Sequence, residues 1–284
     1  MNNQEKTPVP GRLEGKVAFI TGAAGGQGRA HAVRLASEGA NIAGLDICSQ
    51  IESVEYPMAT KDDLDETVRL VEKTGQRMIG RVGDVRDRAS LEAAYADTLA
   101  EFGRVDFVIA NAGISPNWGE YCQTERAWQD CIDVMLTGAM NTVEVAIPQL
   151  VEQGSGGSII ITSSIASERP SVRTLGGKTM GLLGYCAAKA GVVMLMENYA
   201  SMLGEHRIRV NTVHPSVVRT PMTDNETVRN ANFSEEDQKV FNNALPEQEM
   251  EPEEIAAAVA WLCSDDSRFF TGSKLVIDGG MHLR

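Results

Sequence analysis

The sequence predicts a doubly wound α/β domain: a seven-stranded parallel sheet with helices on both faces. Three observations carry this prediction. Short apolar runs alternate with helical stretches along the chain, the pattern of strands joined by crossover helices. A glycine-rich turn separates the first apolar run from the first amphipathic stretch. Gly22, Asp46, Asn111, Ser164 and Pro215 all fall where apolar runs end, which is where such a sheet binds ligands.

In chain order, residues 16–21 (KVAFIT) form the first strand and enter Gly22-Ala-Ala-Gly-Gly-Gln-Gly28; residues 29–38 are amphipathic and stop at Gly39. Glycines at a strand-to-helix turn adopt backbone angles other residues resist, and they let a pyrophosphate approach the unpaired N–H groups of the helix start. A tight connecting turn is the plainer alternative. The second strand, 41–45, ends at Asp46, near the ~20-residue spacing at which a Rossmann unit places an acid on a ribose diol. That acid would repel a 2′-phosphate, and Gly25 and Ile47 offer no cation to hold one, so NAD is favoured over NADP. Residues 48–60 form an irregular excursion containing Pro57, and 61–73 a helix closed by Gly75. The third strand, 77–83, leads to Asp84-Val85, whose carboxylate either meets an adenine amino group or is a solvated turn. Residues 88–102 are helical, and 105–110 (VDFVIA) is a fourth strand ending in Asn111-Ala112-Gly113. A long helix over 124–147 has Thr124 as its cap and Pro148 near its end. The fifth strand, 157–162 (GSIIIT), delivers Ser163 and Ser164. A glycine-rich loop then precedes a helix at 185–203. A sixth strand at 207–213 ends at His214-Pro215, a helix covers 251–263, and a last strand at 274–277 precedes Asp278-Gly279-Gly280.

On the 185–203 helix, Tyr185 and Lys189 are four residues apart and share a face, so an ammonium sits beside a phenol. Bringing a phenol from a pKa of about 10 to about 7 takes roughly 4 kcal/mol, which a buried ammonium helped by an oxidised nicotinamide could supply. Tyr185 would then exchange a proton with an alcohol or carbonyl. A buried tyrosine beside an exposed lysine is the routine alternative.

Composition narrows the classes of function. A net charge of −13 argues against nucleic acid or an anionic membrane as partner. The chain, 43% hydrophobic, suits one domain at 13–284 behind a polar tail at 1–12. That tail reads as neither signal nor transit peptide, and no apolar run reaches the ~18 residues of a membrane span. Five cysteines, odd in number and without ligand spacing, read as reduced thiols in cytoplasm, with no metal site.

With these residues placed, the chain resembles the short-chain dehydrogenase/reductase family over nearly its whole length. The resemblance rests on Thr21-Gly22-x-x-x-Gly26-x-Gly28, Asp84-Val85, Asn111-Ala112-Gly113, Ser164, Tyr185-x-x-x-Lys189 and Asn211-x-x-His214-Pro215, followed by Thr220-Pro221-Met222. It implies that Ser164 orients the substrate oxygen, that Tyr185 is the acid-base, and that Lys189 tunes it while holding a ribose. It also implies an NAD site built from Gly22, Gly26, Gln27, Gly28, Asp46, Ile47, Asp84, Val85, Asn111, Ala112, Gly113, Tyr185, Lys189, Pro215, Val218, Thr220 and Met222. His214 is given no proton-transfer role.

The opening Gly11-Arg-Leu-Glu-Gly-Lys16, the run Gln27-Gly-Arg-Ala-His31 and an insertion at about 47–60 resemble the mycofactocin-associated, carveol dehydrogenase-like branch. That resemblance implies tightly held NAD and electron transfer to a peptide-derived redox cofactor. A second insertion, at about 168–184, is expected as a loop bordering the substrate pocket, and about 217–250 as a lid. Trp118, Leu175, Met180, Leu182 and Met222 are expected to give the pocket apolar character.

Three positions depart from the family pattern. Val134-Met135-Leu136-Thr137-Gly138 has methionine where the family usually has a helix-kinking asparagine that holds a relay water. Gly25 replaces an arginine frequent in the branch, and Ser216 replaces the usual glycine.

The expected function is NAD-dependent interconversion of an apolar, terpenoid- or steroid-like secondary alcohol and its ketone, by a family that usually forms homotetramers. A 3-oxoacyl thioester reductase using NADPH and a nucleotide-binding regulator impaired at Met135 are the alternatives.

Overall fold

Strands buried on both faces show apolar side chains at every position rather than at alternate ones. The structure, a computed structural model, describes residues 11–230 and 242–284. Residues 1–10 of the expected tail and 231–241 of the expected lid lie outside the described residues. Seven parallel strands, β1 (Val17–Thr21), β2 (Asn41–Asp46), β3 (Met78–Val82), β4 (Phe107–Ala110), β5 (Gly157–Thr162), β6 (Ile208–Pro215) and β7 (Ser273–Ile277), lie in the order β3-β2-β1-β4-β5-β6-β7. The order reverses between β1 and β4, where Phe19 stands opposite Ala43 on one side and Val108 on the other. A crevice opens there, beyond the strand C-termini.

Successive side chains feed opposite cores. Val17, Phe19, Val108, Ile159 and Ile161 pack on one face, and Ala18, Ile20, Ile109 and Ile160 on the other. Among the described residues the helices are α1 (Gly26–Ser37), α2 (Lys61–Glu72), α3 (Arg88–Phe102), α4 (Glu125–Cys131), α5 (Gly138–Gln153), α6 (Met180–Leu203), the short α7 (Glu226–Arg229) and α8 (Pro252–Cys263). Thr60 caps α2 through a reciprocal box with Asp63, and Thr124 caps α4 by accepting from Ala127 N at 3.1 Å.

The main departures from the sequence reading lie at three places in the helices. Helix α6 starts at Met180, five residues before Tyr185, with Thr179 as its cap accepting from Leu182 N at 2.9 Å. The glycines that read as loop are helical and needed for close packing. A Cβ on Gly181 would stand 1.8 Å from Pro116 O, and one on Gly184 2.9 Å from Trp128 Cα. Helix α5 runs through Pro148 to Gln153, because burial of Ala146 and Leu150 outweighs one missing N–H. Between α4 and α5, Ile132–Thr137 forms a π-helical turn containing Met135, so the helix is distorted there with methionine rather than asparagine at 135.

Glu125–Gln153 and Met180–His206 are long and apolar enough, by length and composition, to cross a membrane, a length the sequence reading did not expect. Their apolar faces pack on the sheet and on each other, the pattern of core helices.

His31 on α1 is fully buried with neither ring nitrogen hydrogen-bonded, and burial depresses its pKa to about 3. A native pKa below the unfolded value of about 6.5 means the unfolded chain binds more protons between those limits. The stability held above pH 6.5 is therefore lost as pH falls toward 3, at up to about 1.4 kcal/mol per pH unit from this residue. Thermal melts from pH 7 to 4.5 should show the decline, and His31→Leu should flatten it; an equal slope in the variant would contradict the assignment.

Candidate active site

The crevice is a cavity of about 1180 Å³. Of the expected site residues, Gly22, Gly26, Gln27, Asp46, Asn111, Gly113, Ser164, Tyr185, Lys189, Pro215, Val218, Thr220 and Met222 line it. Gly28, Ile47, Asp84, Val85 and Ala112 do not. Gly28 lies under the turn, where a Cβ would stand 1.9 Å from Gly22 O. Ala112 backs Gly22, whose φ of +70° and close approach to Ala112 Cα exclude a side chain. Ile47 packs against the core. Asp84 is gripped by Arg86, with Nε at 2.9 Å and Nη2 at 2.6 Å from Oδ2. Burial pushes its pKa up, but the Arg86 hydrogen bonds outweigh this and hold the carboxyl below its usual range. Val85 is buried and its carbonyl accepts from Asn141 Nδ2 at 3.2 Å.

Asp46 spans the glycine turn and its own strand end, accepting from Ala24 N and Cys48 N at 3.0 Å each. Asn111 ties β4 to β1, donating from Nδ2 to Thr21 O at 3.1 Å.

The three catalytic candidates come together from two elements. Ser164, just past β5, accepts from Ala166 N at 3.1 Å, and its hydroxyl neighbours the Tyr185 phenol. Lys189, 4% exposed, donates to Thr162 O at 2.7 Å, and its Nζ lies 5.8 Å from the centre of the Tyr185 ring. Burial pushes the phenol of Tyr185 up to about 12, against the Ser164 hydrogen bond, and lowers the amine of Lys189 to about 8. The expected lowering of Tyr185 by Lys189 is not seen in the protein alone, where desolvation dominates and Ser164 is the group that pulls the phenol down.

Other expectations are corrected. Among the described residues, none of 168–184 lines the cavity; its walls come instead from 55–60 and 215–229. Only Met222 of the expected apolar set lines it. Leu175 is 94% exposed, Leu182 is buried, and Met180 borders a separate surface hollow with Trp128. The 47–60 insertion is moored across to the segment after β4. Ser53 donates to Asp130 at 2.7 Å, Ser115 N to the Tyr56 hydroxyl at 3.1 Å, and Glu55 accepts from the backbone N–H groups of Glu120 and Tyr121. Sequence reasoning missed Glu55, Tyr56 and Arg29 as wall residues. Arg29 is a cation in the cavity wall, committed to Ala24 O at 2.6 Å and Asp63 O at 2.9 Å; nothing in the local sequence signals those contacts.

A family model described as enoyl-(acyl carrier protein) reductase matches residues 22–282. The chain belongs to the short-chain dehydrogenase/reductase family. It is 53% identical over 270 residues to an uncharacterized oxidoreductase of Mycobacterium tuberculosis, covering 94% of this chain and 96% of that one. It is 39% identical over 283 residues to the (-)-trans-carveol dehydrogenase of Rhodococcus erythropolis, covering 96% and 99%. A crystal structure of a short chain dehydrogenase from Mycobacterium paratuberculosis bound to NAD superposes with a TM-score of 0.89 at 41% identity, covering 96% of this chain and 100% of that one.

Met135 is buried in the cavity wall, and a Cβ on Gly113 would lie 3.6 Å from its sulfur and 3.7 Å from Lys189 Nζ. A thioether gives the lysine no strong acceptor there. Met135→Asn should raise kcat several-fold and shift its pH profile in steady-state assays; unchanged kinetics would show that this position does not limit turnover.

Proposed function

We propose that this chain is an NAD-dependent dehydrogenase interconverting an apolar secondary alcohol, terpenoid- or steroid-like in size, and its ketone. One observation carries the reading: Ser164, Tyr185 and Lys189 line the same cavity as Gly22, Gly26 and Asp46. An acid-base pair and the dinucleotide end of the sheet thus open on one space. The wall also fits a polar ligand, since Gln27 Oε1 and Ser216 Oγ are buried there without partners.

In this reading the turn at Gly22 and Gly26 holds the pyrophosphate and Asp46 the adenosine ribose. Asn111 and Lys189 border the second ribose, and Pro215, Val218, Thr220 and Met222 flank the nicotinamide. When bound, the oxidised nicotinamide supplies a hydride acceptor and a positive charge. Ser164, its oxygen engaged by Ala166 N–H, keeps its O–H to donate to the substrate oxygen. Tyr185, a protonated phenol at neutral pH, gives its proton to a ketone oxygen; in the oxidation direction it acts as the phenolate, which the charge of bound NAD and of Lys189 would favour, and takes the alcohol's proton. Lys189 stays largely cationic with its amine near 8 and steadies the phenolate. Met58, Met135, Val218 and Met222 give the wall the apolar surface such a substrate needs.

The moored insertion at 47–60 supports slow NAD release, and with it electron transfer to a peptide-derived redox cofactor, as in the mycofactocin-associated branch. Free thiols at all five cysteines suit a reducing cytoplasm. Exposed Met194 and Met202 on α6 suit subunit contact in a homotetramer. Asp46 weighs against a thioester reductase that uses NADPH.

Tyr185→Phe should lower kcat/KM for secondary-alcohol oxidation by about 10²- to 10⁴-fold while nucleotide binding persists. Undiminished oxidation would overturn the mechanism.

A further inference from the structure

On β6, beside the catalytic serine, His214 is completely buried and surrounded by oxygen atoms. Its Nδ1 lies 3.0 Å from Ser167 Oγ, 3.1 Å from Glu168 Oε1 and 3.3 Å from Ser164 O; its Nε2 lies 2.7 Å from Thr212 Oγ1. We propose that His214, as the Nδ1–H tautomer, is the positioning residue that fixes the turn carrying Ser164. The proposal rests on the reading of Ser164 as the residue that orients the substrate oxygen.

Proton accounting selects the tautomer. A backbone carbonyl and a carboxylate only accept, so a bare Nδ1 would set its lone pair against both. Ser167 has a single proton, and Ser164 O accepts it at 2.8 Å. With the proton on Nδ1, the ring donates to Glu168 and Ser164 O, and Nε2 accepts from the Thr212 hydroxyl. Each polar group then has a partner. Burial, the largest effect on this ring, lowers its pKa to about 4 even with Glu168 beside it, while Lys274 and Lys189 also disfavour its protonation. The ring therefore stays neutral in the working range and shuttles no proton.

The consequence for Ser164 is mechanical. The turn is held at three points: by His214 to β6, by the Glu168 Oε2 to Lys274 Nζ pair (2.8 Å) to β7, and by Ser163 Oγ donating to Lys189 O (2.8 Å) to α6. His214 is the one of these that touches the backbone of Ser164 itself. Its loss removes the donor that ties that carbonyl to β6, leaving only contacts from within the turn on it, and the serine hydroxyl is free to shift relative to Tyr185.

Asparagine and glutamine separate this role from simple core filling, because an asparagine amide can reproduce an Nδ1–H donor and a glutamine amide reaches toward the Nε2 position. In steady-state kinetics on the full chain, His214→Asn should retain most of kcat. His214→Gln should lose about 10- to 100-fold in kcat with KM for NAD unchanged. Equal losses, or the reverse order, would overturn the proposal. Ser164→Ala, measured alongside, should be as impaired as the glutamine variant or more so; undiminished turnover there would overturn the reading of Ser164 instead. ¹⁵N-histidine labelling of the wild-type chain, with its four histidines, should show one ring protonated at Nδ1 and bare at Nε2 from pH 5 to 8, assigned by its absence in His214→Asn. A proton on Nε2 would refute the assignment.

Discussion

A buried ammonium has to find an acceptor, and much of this site follows from where Lys189 finds one. Its Nζ reaches the carbonyl of Thr162, the last residue of β5. That bond sets α6 against the end of the central sheet, and the serine turn begins at the next residue. Because Tyr185 lies one helical turn before Lys189, the same bond places the phenol beside Ser164. Desolvation opposes the arrangement on both sides, raising Tyr185 and lowering Lys189. The protein alone thus stores the phenol as an acid, and extra positive charge is what turns it toward a base.

The sheet was legible because its strands are apolar on both faces, and their C-terminal residues could be placed from strand ends alone. The glycine turn, Asp46, Asn111 and the Ser164–Tyr185–Lys189 set all reach one crevice for that reason. The features misread depend on contacts distant in sequence. Gly181 and Gly184 look like loop residues until Pro116 and Trp128 press against them. Pro148 looks like a terminus until the core on either side of it is seen. The 168–184 insertion, expected at the pocket, is instead tied to the C-terminal residues, with Arg169 Nη1 donating to Arg284 O at 2.9 Å. The insertion that does reach the cavity is the earlier one, whose Ser53, Glu55 and Tyr56 anchors carry no periodic signal.

Met135 shows how a local departure can leave a scaffold intact. The π turn persists around it, and Gly138 lets α5 pass so close to Val85 that a Cβ would stand 2.5 Å from Val85 Cγ2. The geometry of the helix thus comes from packing as well as from the residue at 135. What changes is the chemistry beside Lys189, where sulfur replaces an amide.

The central claim is that Asp46 and the glycine turn make this cavity an NAD site joined to an acid-base pair. The most direct test is to strip the protein of nucleotide, equilibrate it with equal concentrations of NAD and NADP, remove unbound ligand, and identify what denaturation releases by mass spectrometry. Release of NAD, in at least about tenfold excess over NADP, is the expected result, given the repulsion between Asp46 and a 2′-phosphate. Release of NADP, or of neither nucleotide, would contradict the account.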